Sequence, residues 1–296
     1  MTRRSFLWRL LNGIIMFDFF TTLISEPFVQ YALMGGLLIS ISCGIVGSFI
    51  VARKIEYISG GIAHAVLAGM GIAYFLGQDT TIGALITSLL AALIIGVVSL
   101  KAKKYENTII STLWAIGMAL GVIFITKTPG YNTDLMSYLF GNILMITPSN
   151  LYLLTILDCI IIVSVVLFYK QLLAIAFDEE FARLRGIAVN FYFLLLLCLV
   201  ALTIVSLMQV VGLILMLALL TMPAAIASQY VHSIAKMIII SIILGIIFTS
   251  TGLIISYQTN LPTGATVVLF TGIVFLGSTI MKLLSRFFIL SHQKKL

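Results

Sequence analysis

A chain of 296 residues that is 61% hydrophobic and 9% charged, with mean hydropathy +1.20, has too little polar surface to cover a water-soluble globule. Its net charge of +7 would suit nucleic acid in a soluble protein, but the basic residues lie at the ends of apolar runs, where they orient membrane helices, so no nucleic-acid partner is expected. Runs of about twenty apolar residues fit helices across a lipid bilayer and no barrel-like alternation occurs, which predicts an all-α, polytopic integral membrane protein.

The first residues, MTRRSFLWRLLNGIIMFDFF, join a basic start to an apolar stretch. No small-residue cleavage site follows, and Arg9 and Asp18 make a crossing costly. Residues 1–27 are therefore expected to form an amphipathic surface helix or an extra membrane segment, not a removed signal. After the Glu26–Pro27 break, nine spans are expected within one membrane domain over 28–296, at 28–51, 58–76, 81–100, 108–126, 149–169, 188–208, 210–228, 236–257 and 262–284. One set of connectors carries Arg53, Lys54, Lys101, Lys103, Lys104, Lys170, Arg183, Arg185 and Lys236, and the C-terminal end adds Lys282, Arg286, Lys294 and Lys295. The opposite set carries only Lys127. The basic set, with the C-terminus, is expected to face the cytoplasm.

Small residues recur at four-residue spacing in two spans: Gly36, Ser40, Gly44, Ser48 and Ala52 in the first, then Gly61, Ala65, Gly69, Ala73 and Gly77 in the second. Each set lines one helix face and admits a neighbouring backbone at van der Waals distance. Cys43, Cys159 and Cys198 sit inside apolar runs without ligand spacing and read as small core residues.

His64 is the ionisable group in the first half of the second span, about two turns from its basic end, on the face of Gly60 and Ala68. A neutral imidazole there suits a transition-metal ligand or a hydrogen bond to a neighbouring carbonyl, and both readings stay open. Asp158, near the middle of its span, needs a proton, a cation or a polar partner. A hydrogen bond to Ser or Thr of another helix is the plainer reading, a metal contact the sharper one. Gln209 interrupts its apolar run, while His232 and His292 read as surface residues. No Ser/His/Asp arrangement, HExxH, paired-carboxylate motif or GxxxxGK[ST] loop occurs. Neither enzyme chemistry nor a permanently bound cofactor is expected, and any ATP hydrolysis belongs to another chain.

The basic-side connector 177–187, FDEEFARLRGI, is the most informative stretch outside the spans. Asp178 suits an N-cap, Glu179 and Glu180 the first turn, Arg183 and Arg185 the last, and Gly186 the left-handed position beyond it. These signals predict one short capped helix, with Phe181 and Leu184 on one side as a docking knob. The opposite connector, 127–148, is expected to hold a partial or re-entrant helix. Within 208–227, Pro223 is expected to loosen a turn, either freeing carbonyls to line a path or only shaping the packing.

Five stretches in order, ARKIEYISGGIAHAVLAG, SYLFGNIL, FDEEFARLRGI, VVGLILMLALLTMPAAIA and NLPTGATVVLF, resemble the permease subunit of the metal-ion ABC importers, the ABC-3 type family that takes up zinc, manganese or iron. The resemblance implies a homodimeric permease of the type II importer kind in a bacterial-type cell membrane. It further implies a separate ABC ATP-binding subunit, an extracytoplasmic metal-binding protein and a divalent metal ion as cargo. In that picture 178–187 is the coupling helix: Asp178, Glu180, Ala182 and Gly186 match the family pattern, and Phe181, Arg183 and Leu184 touch the ATPase. His64 matches the family histidine that meets the ion. The usual motif has Asp four residues earlier, where this chain has Gly60, and loss of that carboxylate favours nitrogen coordination and so zinc over manganese. Two His64 side chains facing each other across the dimer path are expected to form a weak, transient site.

Two rival readings stand beside this one. An ABC importer of metal chelates such as siderophores or cobalamin would have no need of a histidine in its path. An ATP-independent secondary carrier or channel would need charge relays within the spans and no docking helix.

Overall fold

The computed structural model describes residues 26–128, 141, 143, 146–212, 216–259 and 261–293, with 209, 210 and 286–293 as backbone alone. The expected N-terminal segment lies outside these residues up to position 25, as do most of the 127–148 connector and the side chains of Gln209 and His292. The described residues form ten α-helices and no strand: α1 Pro27–Arg53, α2 Glu56–Phe75, α3 Thr80–Lys101, α4 Glu106–Lys127, α5 Pro148–Phe177, α6 Glu179–Leu184, α7 Val189–Val211, α8 Met216–Tyr230, α9 Ile234–Thr259 and α10 Thr263–Gln293.

Local chemistry explains where several of these helices begin and end. Pro27 and Pro148 open α1 and α5, where a missing N–H costs nothing and a fixed φ is already helical. Asp79 caps α3 by accepting from the Thr81 amide at 2.8 Å. Gly212, at φ 81°, stops α7 in a conformation that a side chain would strain. α5 bends at Phe168, whose φ of −109° and ψ of 19° are not helical and whose ring packs on Tyr192.

Eight of the described helices are long and apolar enough to cross a membrane. The expected span at 210–228 departs from this pattern. Its first two residues belong to α7, the Gly212 break follows, and the described part of α8 runs from Met216. The 15 described residues of α8 extend about 22 Å and form a shorter apolar helix beside the eight long ones.

α7 joins two groups of helices. On one side α2 packs against α3 and α4; on the other α1 packs against α5, α8 and α9, with α10 against α8 and α9. Consecutive helices α1 and α2 barely touch, and α7 contacts both.

The small-residue ladders account for the tightest of these contacts. Along α1, Gly36 faces Thr249, Gly44 faces Ile242, and Gly245 of α9 faces Ser40. Ser40 and Ser48 donate back to the carbonyls of Gly36 and Gly44 at 2.6 Å and meet Thr249 and Ser241 of α9 at 3.4 Å. Along α2, Gly61 faces Ile110, Gly69 faces the Gly83 carbonyl, and Gly117 of α4 faces Ala65. Lipid tails are as apolar as leucine, so packing and buried hydrogen bonds, rather than the hydrophobic effect, draw these helices together.

Outward faces remain apolar. Leu269, Ile273, Leu276 and Ile280 on α10 and Ile86, Leu90 and Ile94 on α3 are exposed, as lipid contact requires. Arg53, Lys54, Lys103 and Arg183 line one cavity, and Lys282 of α10 donates to the Gln229 carbonyl at the end of α8.

Candidate functional site

His64 stands on α2 where that helix meets α4. Its imidazole is half-buried and stacked on the Trp114 indole, with 3.9 Å between ring centroids and 12° between planes. Nδ1 is buried and has no hydrogen-bond partner. The hydrogen bond to a neighbouring carbonyl that the sequence allowed is not made at Nδ1. Gly60, one turn earlier, is also buried against Trp114: a Cβ there would lie 3.3 Å from Trp114 Cζ3 and 3.6 Å from Leu217 Cδ1.

Asp158 lies on α5 where it meets α1, only 3% exposed. Ser42 of α1 donates to its Oδ1, the interhelix hydrogen bond that the plainer reading expects, while Oδ2 is buried without a partner. An unpaired buried oxygen of this kind costs about 1–3 kcal/mol. His64 and Asp158 thus belong to different helix contacts. Among the described residues no group of three or more His, Cys, Asp or Glu side chains is placed to hold a metal ion. His64 is the one histidine of α2. Cys43, Cys159 and Cys198 are separate free thiols.

The short helix predicted at 178–187 is α6, and it carries the expected caps. Asp178 Oδ1 accepts from the Phe181 amide at 3.0 Å. At the other end Gly186 adopts φ 76°, with its N–H on the Arg183 carbonyl at 3.0 Å and the Ile187 N–H on the Ala182 carbonyl at 3.1 Å. Ala182 is fully buried against the bundle, whereas Phe181 is 50% and Leu184 88% exposed. Glu180 and Arg183 are also exposed, Arg183 reaching Asn190 at 3.3 Å. An apolar knob with charged flanks therefore projects from the basic end.

Two relationships were not legible in the sequence. Arg53, closing α1, is ion-paired with Glu179, donates to the Ile175 carbonyl at 3.0 Å and lies 4.3 Å from the centre of the Phe193 ring. One guanidinium thereby ties α1 to α5, α6 and α7 beside a cavity of about 490 Å3 whose lining includes Lys54, Lys103, Glu106 and Arg183. The other is the His64–Trp114 stack. In both cases the partners lie far apart in the chain, and no local pattern joins them.

Residues 25–282 match the ABC 3 transport family. The chain belongs to that family. This ABC 3 family member is 41% identical over 267 residues to an uncharacterized membrane protein of Synechocystis, covering 90% of the chain and 95% of the relative. It is 37% identical to the manganese transport system membrane protein MntC of Listeria monocytogenes, with 87% and 91% covered. Among solved structures it resembles PsaBC from Streptococcus pneumoniae, with a TM-score of 0.81, 36% identity, and 89% of this chain and 95% of that one covered. A putative metal-chelate type ABC transporter in an inward-facing conformation shares the fold at TM-score 0.71 and 12% identity, with 88% of each chain covered. The ABC 3 family chain is thus an all-α, multi-pass membrane protein of a transporter family.

Proposed function

We propose that this chain is the permease subunit of an ATP-driven importer of a divalent transition-metal ion, manganese or zinc, acting as a homodimer with a separate ATPase and an extracytoplasmic metal-binding protein. The observation that carries the reading is His64. It is a half-buried imidazole within a membrane-length helix, and no protein group satisfies its Nδ1. Intramembrane ionisable groups are costly and serve ion pathways, and imidazole suits first-row divalent metals. Family membership, the name of the Listeria relative and the likeness to PsaBC support metal as cargo.

Each further component of the proposal has a physical support. A single His64 per chain cannot complete a coordination shell, so a second copy supplies the facing imidazole and water the remainder. That weak site releases the ion as readily as it accepts it. The exposed Phe181 and Leu184 on a capped helix suit docking of an ATPase, with Glu180 and Arg183 beside them as polar contacts. The basic end then faces the cytoplasm, together with the C-terminus. Asp158, with its buried Oδ2 unpartnered, is the secondary candidate for contact with the ion.

The test is uptake of zinc and manganese by proteoliposomes that contain the chain and its ATPase. Uptake is expected to require ATP and to fall to background in His64→Ala. Import without ATP, or full import by His64→Ala, would refute the reading.

A further inference from the structure

Trp114 of α4 faces two residues of α2 that are one turn apart. At Gly60 it supplies the atom nearest to a would-be Cβ, Cζ3 at 3.3 Å, with Cη2 at 3.9 Å. At His64 it presents the face on which the imidazole lies. A methyl group at position 60 fits only if the indole gives by a few tenths of an ångström. An acidic residue at 60 carries the same Cβ, so it presses on the indole in its present place. A histidine that ligates a metal is ordinarily oriented by a hydrogen bond from its second ring nitrogen to a carboxylate, carbonyl or water. No protein group provides that partner for His64 Nδ1, and the stack takes over the orienting role.

We infer that Trp114 is the positioning residue of the His64 site: its indole holds the imidazole by the face and crowds position 60, where glycine leaves the ion without an oxygen donor. This rests on the reading of His64 as a path ligand. Each copy of the chain then offers the ion a nitrogen donor without an oxygen donor one turn away. Zinc, which accepts imidazole readily, is favoured, and manganese, which prefers carboxylate oxygen, is disfavoured.

The full chain, reconstituted with its ATPase and probed with zinc and manganese ions, tests this. Gly60→Asp alone is expected to lower uptake of both ions about tenfold, whereas Gly60→Asp with Trp114→Leu recovers uptake and raises the manganese-to-zinc ratio about tenfold. The double variant carries the same aspartate, so its recovery also excludes failed insertion as the cause of the single variant's loss. Trp114→Leu alone is expected to raise the KM for zinc with little change in kcat, and Trp114→Phe, which keeps an aromatic face, to restore it. Normal uptake by Gly60→Asp, or equal losses in the single and double variants, overturns the inference.

A spectroscopic readout stands apart from transport. The chain has two tryptophans, so Trp8→Phe leaves Trp114 as the sole indole. Adding His64→Ala is expected to shift its emission and open it to acrylamide quenching; unchanged emission overturns the stack. If emission shifts but His64→Ala imports normally, the path-ligand reading has failed and the specificity inference with it. If His64→Ala abolishes import and the double variant does not recover, the inference about Trp114 alone has failed.

Discussion

Arg53 and Glu179 form an ion pair between the last residue of α1 and the first residue of α6, bridging 126 positions of sequence. The arginine side chain is 9% exposed and the glutamate 42%, so solvent weakens the pair from one side only. The same guanidinium holds the end of α5 through Ile175 and rests on Phe193 of α7. One side chain thus links α6 to three spans, α1, α5 and α7.

Arg53→Ala breaks these contacts together. It is expected to uncouple the complex, with ATP hydrolysis retained and ion import per ATP reduced about tenfold, equivalent to roughly 1.4 kcal/mol of lost coupling. Glu179→Gln, which keeps a hydrogen-bond acceptor, is expected to be milder. The swapped pair Arg53→Glu with Glu179→Arg is expected to recover part of the loss. Parallel ATPase and uptake assays check this, and loss of hydrolysis in step with uptake would assign the pair to assembly instead.

α6 depends on its caps and presents its knob. Asp178→Ala removes the acceptor of the Phe181 amide and is expected to cost about 1 kcal/mol of local stability, seen as faster hydrogen exchange across 179–184. Phe181→Ala and Leu184→Ala are expected to leave membrane insertion intact and weaken ATPase binding by about 1–2 kcal/mol each, as for exposed apolar anchors. Co-purification with the ATPase at increasing salt measures the difference.

Asp158 separates a structural role from a transport role. Ser42→Ala leaves a buried carboxyl without its donor and is expected to destabilise the bundle by about 1–3 kcal/mol. Asp158→Asn still accepts from Ser42 and is expected to keep the thermal midpoint near that of the unsubstituted chain. Thermal unfolding in detergent checks both. Normal stability with lost uptake in Asp158→Asn would give this residue a direct part in ion passage.

The glycines supply an internal contrast. A Cβ on Gly69 would overlap the Gly83 carbonyl oxygen and the Thr87 side chain, so Gly69→Ala is expected to cost about 1–3 kcal/mol through forced separation of α2 and α3. Gly277 of α10 has nothing within 4 Å, and Gly277→Ala is expected to leave stability unchanged or slightly raised, since alanine is the better helix former. Equal effects of the two substitutions in a thermal-shift assay would contradict the packing of α2.

The order of the spans, most of the small-residue faces of α1 and α2, and the capped helix at 178–187 were readable in the chain because each follows from neighbours within a few residues; Gly77, expected on the α2 face, lies past the helix end at φ 68° with nothing within 4 Å. Apolar run length sets span length, four-residue spacing sets a helix face, and Asp178 and Gly186 act on backbone groups within their own turn. The break at the start of the expected 210–228 span was not readable because continuous hydropathy conceals it. Gly212 interrupts the helix through its φ angle while the apolar run continues around it. Which faces meet was decided by tertiary structure alone: the α1 ladder chose α9, and the α2 ladder chose α3 and α4. So it is at the candidate site. The sequence singled out His64 and the missing carboxylate at Gly60, but only the packing of α4 on α2 brought Trp114 into the space between them, because stacking depends on where two helices cross and not on what lies beside either residue in the chain.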